Sequence, residues 1–126
     1  MKLAHARSLV LAAASLVAAN ASAHAAYPVS GTWTYDNASL AGPAKTCGHR
    51  LMQFRGSMRY DTETAAPEYK NLSVERVGNV TWRIVDQIYT AVVWGRVHYT
   101  LRLIDNDHIV IRLDKGGTTW MLRRCE

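Results

Sequence analysis

The strongest constraint on the fold is a strict two-residue alternation through the last third of the chain. Arg96-Val97-His98-Tyr99-Thr100-Leu101-Arg102-Leu103-Ile104 is followed by Asp105-Asn106-Asp107, and His108-Ile109-Val110-Ile111-Arg112-Leu113 by Asp114-Lys115-Gly116-Gly117. A third run, Thr118 to Cys125, then closes the pattern. Val97, Tyr99, Leu101 and Leu103 fall on one face, with His98, Thr100 and Arg102 on the other. Ile109, Ile111 and Leu113 oppose His108, Val110 and Arg112 in the same way, and Trp120, Leu122 and Arg124 share an inward face that leaves Arg123 outside. A period of two puts alternate side chains on opposite faces of a strand and is incompatible with a helical stripe. Three such runs joined by short polar turns predict an antiparallel meander with one buried and one solvated face.

The preceding residues extend the pattern. Val29 to Tyr35 alternates as a first strand, and 36–46 is a loop dense in Asn, Ser, Gly and Pro. Arg50 to Tyr60 reads as one second strand with Met52, Phe54, Met58 and Tyr60 on a common face and a bulge at Gly56. After a polar loop over 61–68, Lys70 to Val77 is a strand of weak pattern, and Gly78-Asn79 signals a two-residue turn. Val80, Trp82 and Ile84 alternate next, with Asp86 on their face, where a buried carboxylate calls for an arginine partner. Ile88 to Trp94 is β-branched and aromatic. The expected architecture is therefore all-β, a small antiparallel meander β-barrel of seven to eight strands, with a sandwich as the alternative. Closure into a barrel leaves no free strand edge.

Residues 1–23 carry a different signature. Lys2 and Arg7 precede an apolar stretch from Leu9 to Ala19, and Ala21-Ser22-Ala23 offers small residues for a signal peptidase. The expectation is a signal peptide cleaved after Ala23, or after Ala25 in a second register, and one domain over 24–126 in the periplasm or outside the cell. The stretch is shorter than the ~20 apolar residues of a spanning helix, and no membrane span is expected after cleavage. Loss of Lys2 and Arg7 lowers the net charge from +5 to +3. The remaining cations read as spread along the strands, without the basic stripe and interleaved aromatics of a nucleic-acid surface. Cys47 and Cys125 are the two cysteines. In an oxidising compartment they are expected to bond, worth about 4–5 kcal/mol at most in the loop-entropy account.

No residue constellation announces catalysis. His49, His98 and His108 lack the three or four converging ligands of a zinc site, although His98 and His108 could neighbour each other across a hairpin. Most carboxylates fall in turns, where Asp shapes the backbone. No nucleophile elbow or phosphate-cradling glycine loop is present. Neither a catalytic residue, a metal site nor a cofactor is expected.

Gly31-Thr32-Trp33 on the first strand and Arg124 on the last resemble the pattern of the lipocalins and their calycin relatives. In that superfamily a cation on the last strand packs over the indole of a Gly-x-Trp and closes one barrel end. The resemblance covers the two chain ends and implies a Trp33–Arg124 contact of ~1–2 kcal/mol when desolvated. In size, leader and disulfide the chain is most similar to the small periplasmic metalloprotease inhibitors, which insert an N-terminal arm into a protease cleft; here the arm would run to about Val29. The chain departs from their pattern in placing Cys125 at the extreme C-terminal end. The functional expectation is a binding protein, acting on a protein partner as an envelope inhibitor. The alternatives are a structural or stress-related envelope protein without a pocket and a carrier of a small apolar ligand. Trp33, Phe54, Trp82, Trp120 and Leu122 pointing inward would fill much of so small a barrel, which favours the exterior for recognition.

Overall fold

A computed structural model describes residues 26–36, 38–64, 66–88 and 95–125. Eight strands follow one another: β1 (Gly31–Thr34), β2 (Leu51–Arg55), β3 (Met58–Asp61), β4 (Glu68–Arg76), β5 (Thr81–Ile88), β6 (Arg96–Asp105), β7 (His108–Leu113) and β8 (Thr119–Arg124). Each pairs antiparallel with its neighbours in the chain, and β8 returns to β1 through Trp33 opposite Arg124 and Thr34 opposite Arg123. The result is a closed meander barrel, and among the described residues there is no helix. The leader region and the expected strand segment at 89–94 lie outside the described residues.

The interior follows the period-two pattern in most strands. Trp33, Met52, Phe54, Ile84, Tyr99, Leu101, Ile109, Ile111 and Leu122 are fully buried and pack together, with Trp82 and Trp120 half-buried beside them. Tyr27 and Val29, from the segment leading into β1, are also buried in this cluster. Tyr27 sets its ring edge-on to Phe54 with centroids 5.0 Å apart. Interior packing of this kind stabilises a small barrel through apolar area removed from water.

The segment 50–60 departs from expectation. It is two strands, because Gly56-Ser57 forms a two-residue turn that brings Arg55 opposite Met58. Gly56 has φ +57, a left-handed conformation that favours glycine and suits the primed hairpin turns. The turn resets parity. Met52 and Phe54 point inward as expected, but on β3 the inward residues are Arg59 and Asp61, while Tyr60 is exposed and Met58 half-buried. The β4–β5 connection is also wider than two residues: 77–80 separate the strands, and Val80 is exposed rather than continuing the inward series of Trp82 and Ile84. Asp86 lies inward, and β5 runs unbroken to Ile88.

Candidate functional site

The parity reset on β3 places charge inside the barrel. Arg59, Asp61 and Asp86 are 3%, 0% and 0% exposed. Arg59 donates through Nε to Asp86 Oδ2 at 2.8 Å and through Nη1 to Asp61 Oδ2 at 3.0 Å. Tyr99 Oη donates to Asp86 Oδ2 at 2.8 Å, while Tyr27 Oη and Asn71 Nδ2 reach Oδ1 at 2.9 and 3.1 Å. Asp61 accepts from Tyr35 Oη at 3.0 and 3.1 Å and from the Glu63 amide at 2.9 Å. Every partner of the two carboxylates is a donor, so both act purely as acceptors. The guanidinium is also covered by aromatic faces, its carbon 4.0 Å from the centre of the Tyr69 ring and 5.1 Å from that of Tyr99. Asn71 Oδ1 is the one buried side-chain polar atom without a partner among the described residues.

Burial first, and the Asp86 carboxylate second, push the Tyr27 hydroxyl far above the ordinary tyrosine range; burial and Asp61 do the same to Tyr35. Tyr99 is likewise pushed well up, chiefly by burial. Burial by itself would lower the Arg59 guanidinium, but Tyr99, Asp86 and Asp61 more than offset it and hold the group above its usual value. These hydroxyls remain donors across the neutral range. The charged groups of the assembly are paired with one another and shielded from solvent, the condition under which buried ionic groups are tolerated.

The sequence-expected pair is brought together at the point of barrel closure. The Arg124 guanidinium carbon lies 4.3 Å from the centre of the Trp33 ring. Its Nε donates to the Asn106 carbonyl at 2.8 Å, and Nη1 reaches the Ser30 carbonyl at 3.4 Å. Gly31 has φ +85, a left-handed conformation that favours glycine, and a Cβ there would sit at ordinary contact distance, 3.7 Å, from Arg124 Nη1. Cys47 and Cys125 form a disulfide with Cα atoms 5.0 Å apart. Beside it the 35–50 connection folds back onto β8, with Ala44 bridging Cys125 in parallel.

That connection changes the role of Arg123. The sequence places it outward, but the loop covers it and supplies acceptors: its Nε donates to the Gly42 carbonyl at 2.6 Å and its Nη2 to the Pro43 carbonyl at 2.7 Å. His108 fastens the same loop, with Nε2 2.6 Å from the Leu40 carbonyl and Nδ1 2.8 Å from Asp105 Oδ1. His98 and His108 are not neighbours. The β6–β7 register sets Tyr99 opposite Leu113 and Asp105 opposite His108, which puts the two histidines at opposite ends of the hairpin.

Several hollows are present among the described residues. One of about 420 Å³ lies between Thr34 and the 44–48 loop. Another, about 410 Å³, lies where Val97 and Leu113 meet Arg96 and Lys115. A third, about 350 Å³, indents the outer wall of β5–β8. Sequence reasoning found Trp33, Arg124, both cysteines and the burial of Asp86, but it missed Arg59 and Asp61. The signal for them was Gly56-Ser57, a hairpin dipeptide that reverses the inward parity of the strand after it. Searches of family models, of curated proteins and of solved structures find no match to this chain.

Proposed function

We propose that this chain is a secreted or periplasmic binding protein that recognises a protein partner with the exterior of its barrel. The observation that carries the reading is the filled interior. Among the described residues, packed apolar side chains and the Arg59–Asp61–Asp86 assembly occupy the lumen, which weighs against the small-ligand-carrier alternative. The disulfide is compatible with an oxidising compartment outside the cytoplasm.

Tyr27 and Val29 bear on the manner of binding. Both are buried in the core, and the Tyr27 hydroxyl is committed to Asp86. An inhibitory arm extending to Val29 would have to leave the barrel interior and break that bond, so an insertion mechanism through these residues is disfavoured. The exterior offers aliphatic turn tips instead. Val77 and Val80 in the β4–β5 turn are 51% and 44% exposed, and Ile104 at the end of β6 is 48% exposed. The Leu103 amide donates to the Val80 carbonyl at 2.9 Å, which sets the two turns side by side. Exposed β-branched residues in adjoining turns are suited to a partner that covers them.

The test is a photo-crosslinking amino acid placed at Val80 or at Ile104, with Thr119 on another wall as the control, in cells expressing the full chain. A discrete protein adduct from Val80 and Ile104 that is absent from Thr119 supports the reading. Absence of any adduct favours the structural envelope role. A small apolar molecule retained by the purified protein in native mass spectrometry would restore the carrier.

A further inference from the structure

The cations that look scattered along the sequence are gathered by the sheet register. Arg83 on β5 lies opposite Thr100 on β6, which lies opposite Arg112 on β7, which lies opposite Thr119 on β8. One step along the strands, Thr81 lies opposite Arg102, and Arg102 opposite Val110. All three arginines are exposed. With strands about 4.8 Å apart, Arg83 and Arg112 stand about 10 Å from each other, and Arg102 lies diagonally between them. The hollow of about 350 Å³ on this wall is lined by Arg102 and Arg112 together with Thr81, Thr100, Val110 and Thr119.

The middle of the wall is free of opposing charge. Its outward positions carry Arg83, Arg96, His98, Arg102 and Arg112, while His108 and Arg123 are tied to carbonyls of the 40–43 loop. The acids stand at its margins: Glu75, opposite Arg83 on β4, borders it, Asp105 at the end of β6 lies opposite His108 and bonds it at 2.8 Å, and Asp107 and Asp114 lie in the end turns. Even so, no carboxylate among the described residues lies within 4.0 Å of Arg83, Arg102 or Arg112. On the outer wall of β2–β4 the signs alternate, with Arg55, Glu68, Lys70 and Glu75. Clustered like charges repel, and that cost is offset when an anion sits among them.

We propose that the outer wall of β5–β8 is a binding site for an anionic polysaccharide, one bearing carboxylate or sulfate groups along its chain. Guanidinium groups pair bidentately with such anions, and the threonine hydroxyls between them match the sugar hydroxyls. The wall has no outward aromatic residue, because Trp82, Tyr99 and Trp120 all lie on the inward face. It therefore lacks the stacking platform that single-stranded nucleic acid uses. The site rests on the register and charge of this wall and not on the protein-partner reading, whose turn tips lie at the barrel end.

Binding of the oxidised protein to heparin and to polygalacturonate, measured by calorimetry at 0.15 M salt, tests the proposal, with neutral dextran and oligo-dT as comparators. Heparin and polygalacturonate distinguish a sulfate from a carboxylate preference. Binding to at least one is expected, with dextran inert and oligo-dT weaker. The double variant Arg102→Gln/Arg112→Gln should weaken binding about tenfold or more, as loss of charge-assisted bonds implies. Thr100→Glu, which sets a carboxylate between Arg83 and Arg112 and removes no arginine, should weaken it similarly. The charge-matched control Arg55→Gln/Lys70→Gln on the opposite wall should stay within about twofold of the parent. Equal losses in test and control variants would reduce the effect to net charge and overturn the site. So would tighter binding of oligo-dT than of either glycan, or no binding of either glycan by the parent protein.

Discussion

Two inward-facing arginines, Arg59 and Arg124, meet the same problem in two regions of one barrel and solve it differently. Arg59 sits inside the lumen, its side chain 4% exposed, and takes two carboxylates, with two tyrosine rings close to the guanidinium. Arg124 sits at the barrel closure, partly reached by solvent, and takes two backbone carbonyls and the face of Trp33, with no carboxylate within 4.0 Å among the described residues. Deep in the protein a lone charge loses its hydration and needs countercharge; near the end, solvent and backbone dipoles share the load. Inward parity sets where a cation points, while depth sets what it must be paired with.

The largest expected effect tests the lumen. Arg59→Met keeps much of the volume but leaves Asp61 and Asp86 buried without their cation, and should cost about 3–5 kcal/mol in urea unfolding. Adding Asp61→Asn and Asp86→Asn should recover part of that loss, because the stranded charges are then gone. A cost below about 1 kcal/mol for Arg59→Met would erase the contrast with Arg124.

Tyr27→Phe probes whether the segment before β1 belongs to the lumen. It removes the hydroxyl that donates to Asp86 Oδ1 and leaves that oxygen with Asn71 alone. A loss of about 1–3 kcal/mol is expected, read from the same unfolding curves. An unchanged midpoint would detach Tyr27 from the network.

Arg124→Ala should cost about 1–2 kcal/mol, the range of a partly desolvated cation–π contact, and should leave exterior binding intact. A loss as large as that of Arg59→Met would mean that the closure is as intolerant of change as the lumen.

The smallest effect is a pH dependence confined to the rim. Both ring nitrogens of His108 face acceptors, Asp105 and the Leu40 carbonyl, so the doubly protonated ring satisfies both. The Asp105 hydrogen bond holds His108 above its ordinary value of 6.5, and in return His108 and the Asp107 amide hold Asp105 below 3.8. A raised histidine contributes fully below its unfolded value and loses that contribution as pH rises through the folded one. A lowered carboxylate contributes above its unfolded value and loses it as pH falls through the folded one. The latch therefore works best between about pH 4 and 6.5. Melting temperatures of the parent and His108→Gln should differ most there and converge as pH rises through the folded value of His108. A gap that stays constant from pH 5 to 8 would show that the ring acts through packing alone. Tyr27, Tyr35 and Tyr99, displaced upward, should add no slope in this range.

The class of fold, the inward series on β5 to β8, the disulfide partners and the meeting of Trp33 with Arg124 were all legible in the order of residues. The first three follow from a period of two or from a lone pair of cysteines, properties that neighbouring residues or simple counting carry; parity put Trp33 and Arg124 inward, and their meeting was expected only from the resemblance carried by Gly31-Thr32-Trp33 and Arg124. Three other features lay beyond the alternation itself. The Gly56-Ser57 turn reversed parity, and Arg59 and Asp61 moved into the lumen because β2 and β3 are separate strands. The 35–50 loop folded back over β8 and turned the outward Arg123 into a loop anchor. The register of β5 to β8 gathered Arg83, Arg102 and Arg112, distant along the chain, onto one wall. Alternation states which side of a strand a residue occupies; which residue of another strand stands beside it depends on turn length and register, and those are set by the packing of the whole barrel.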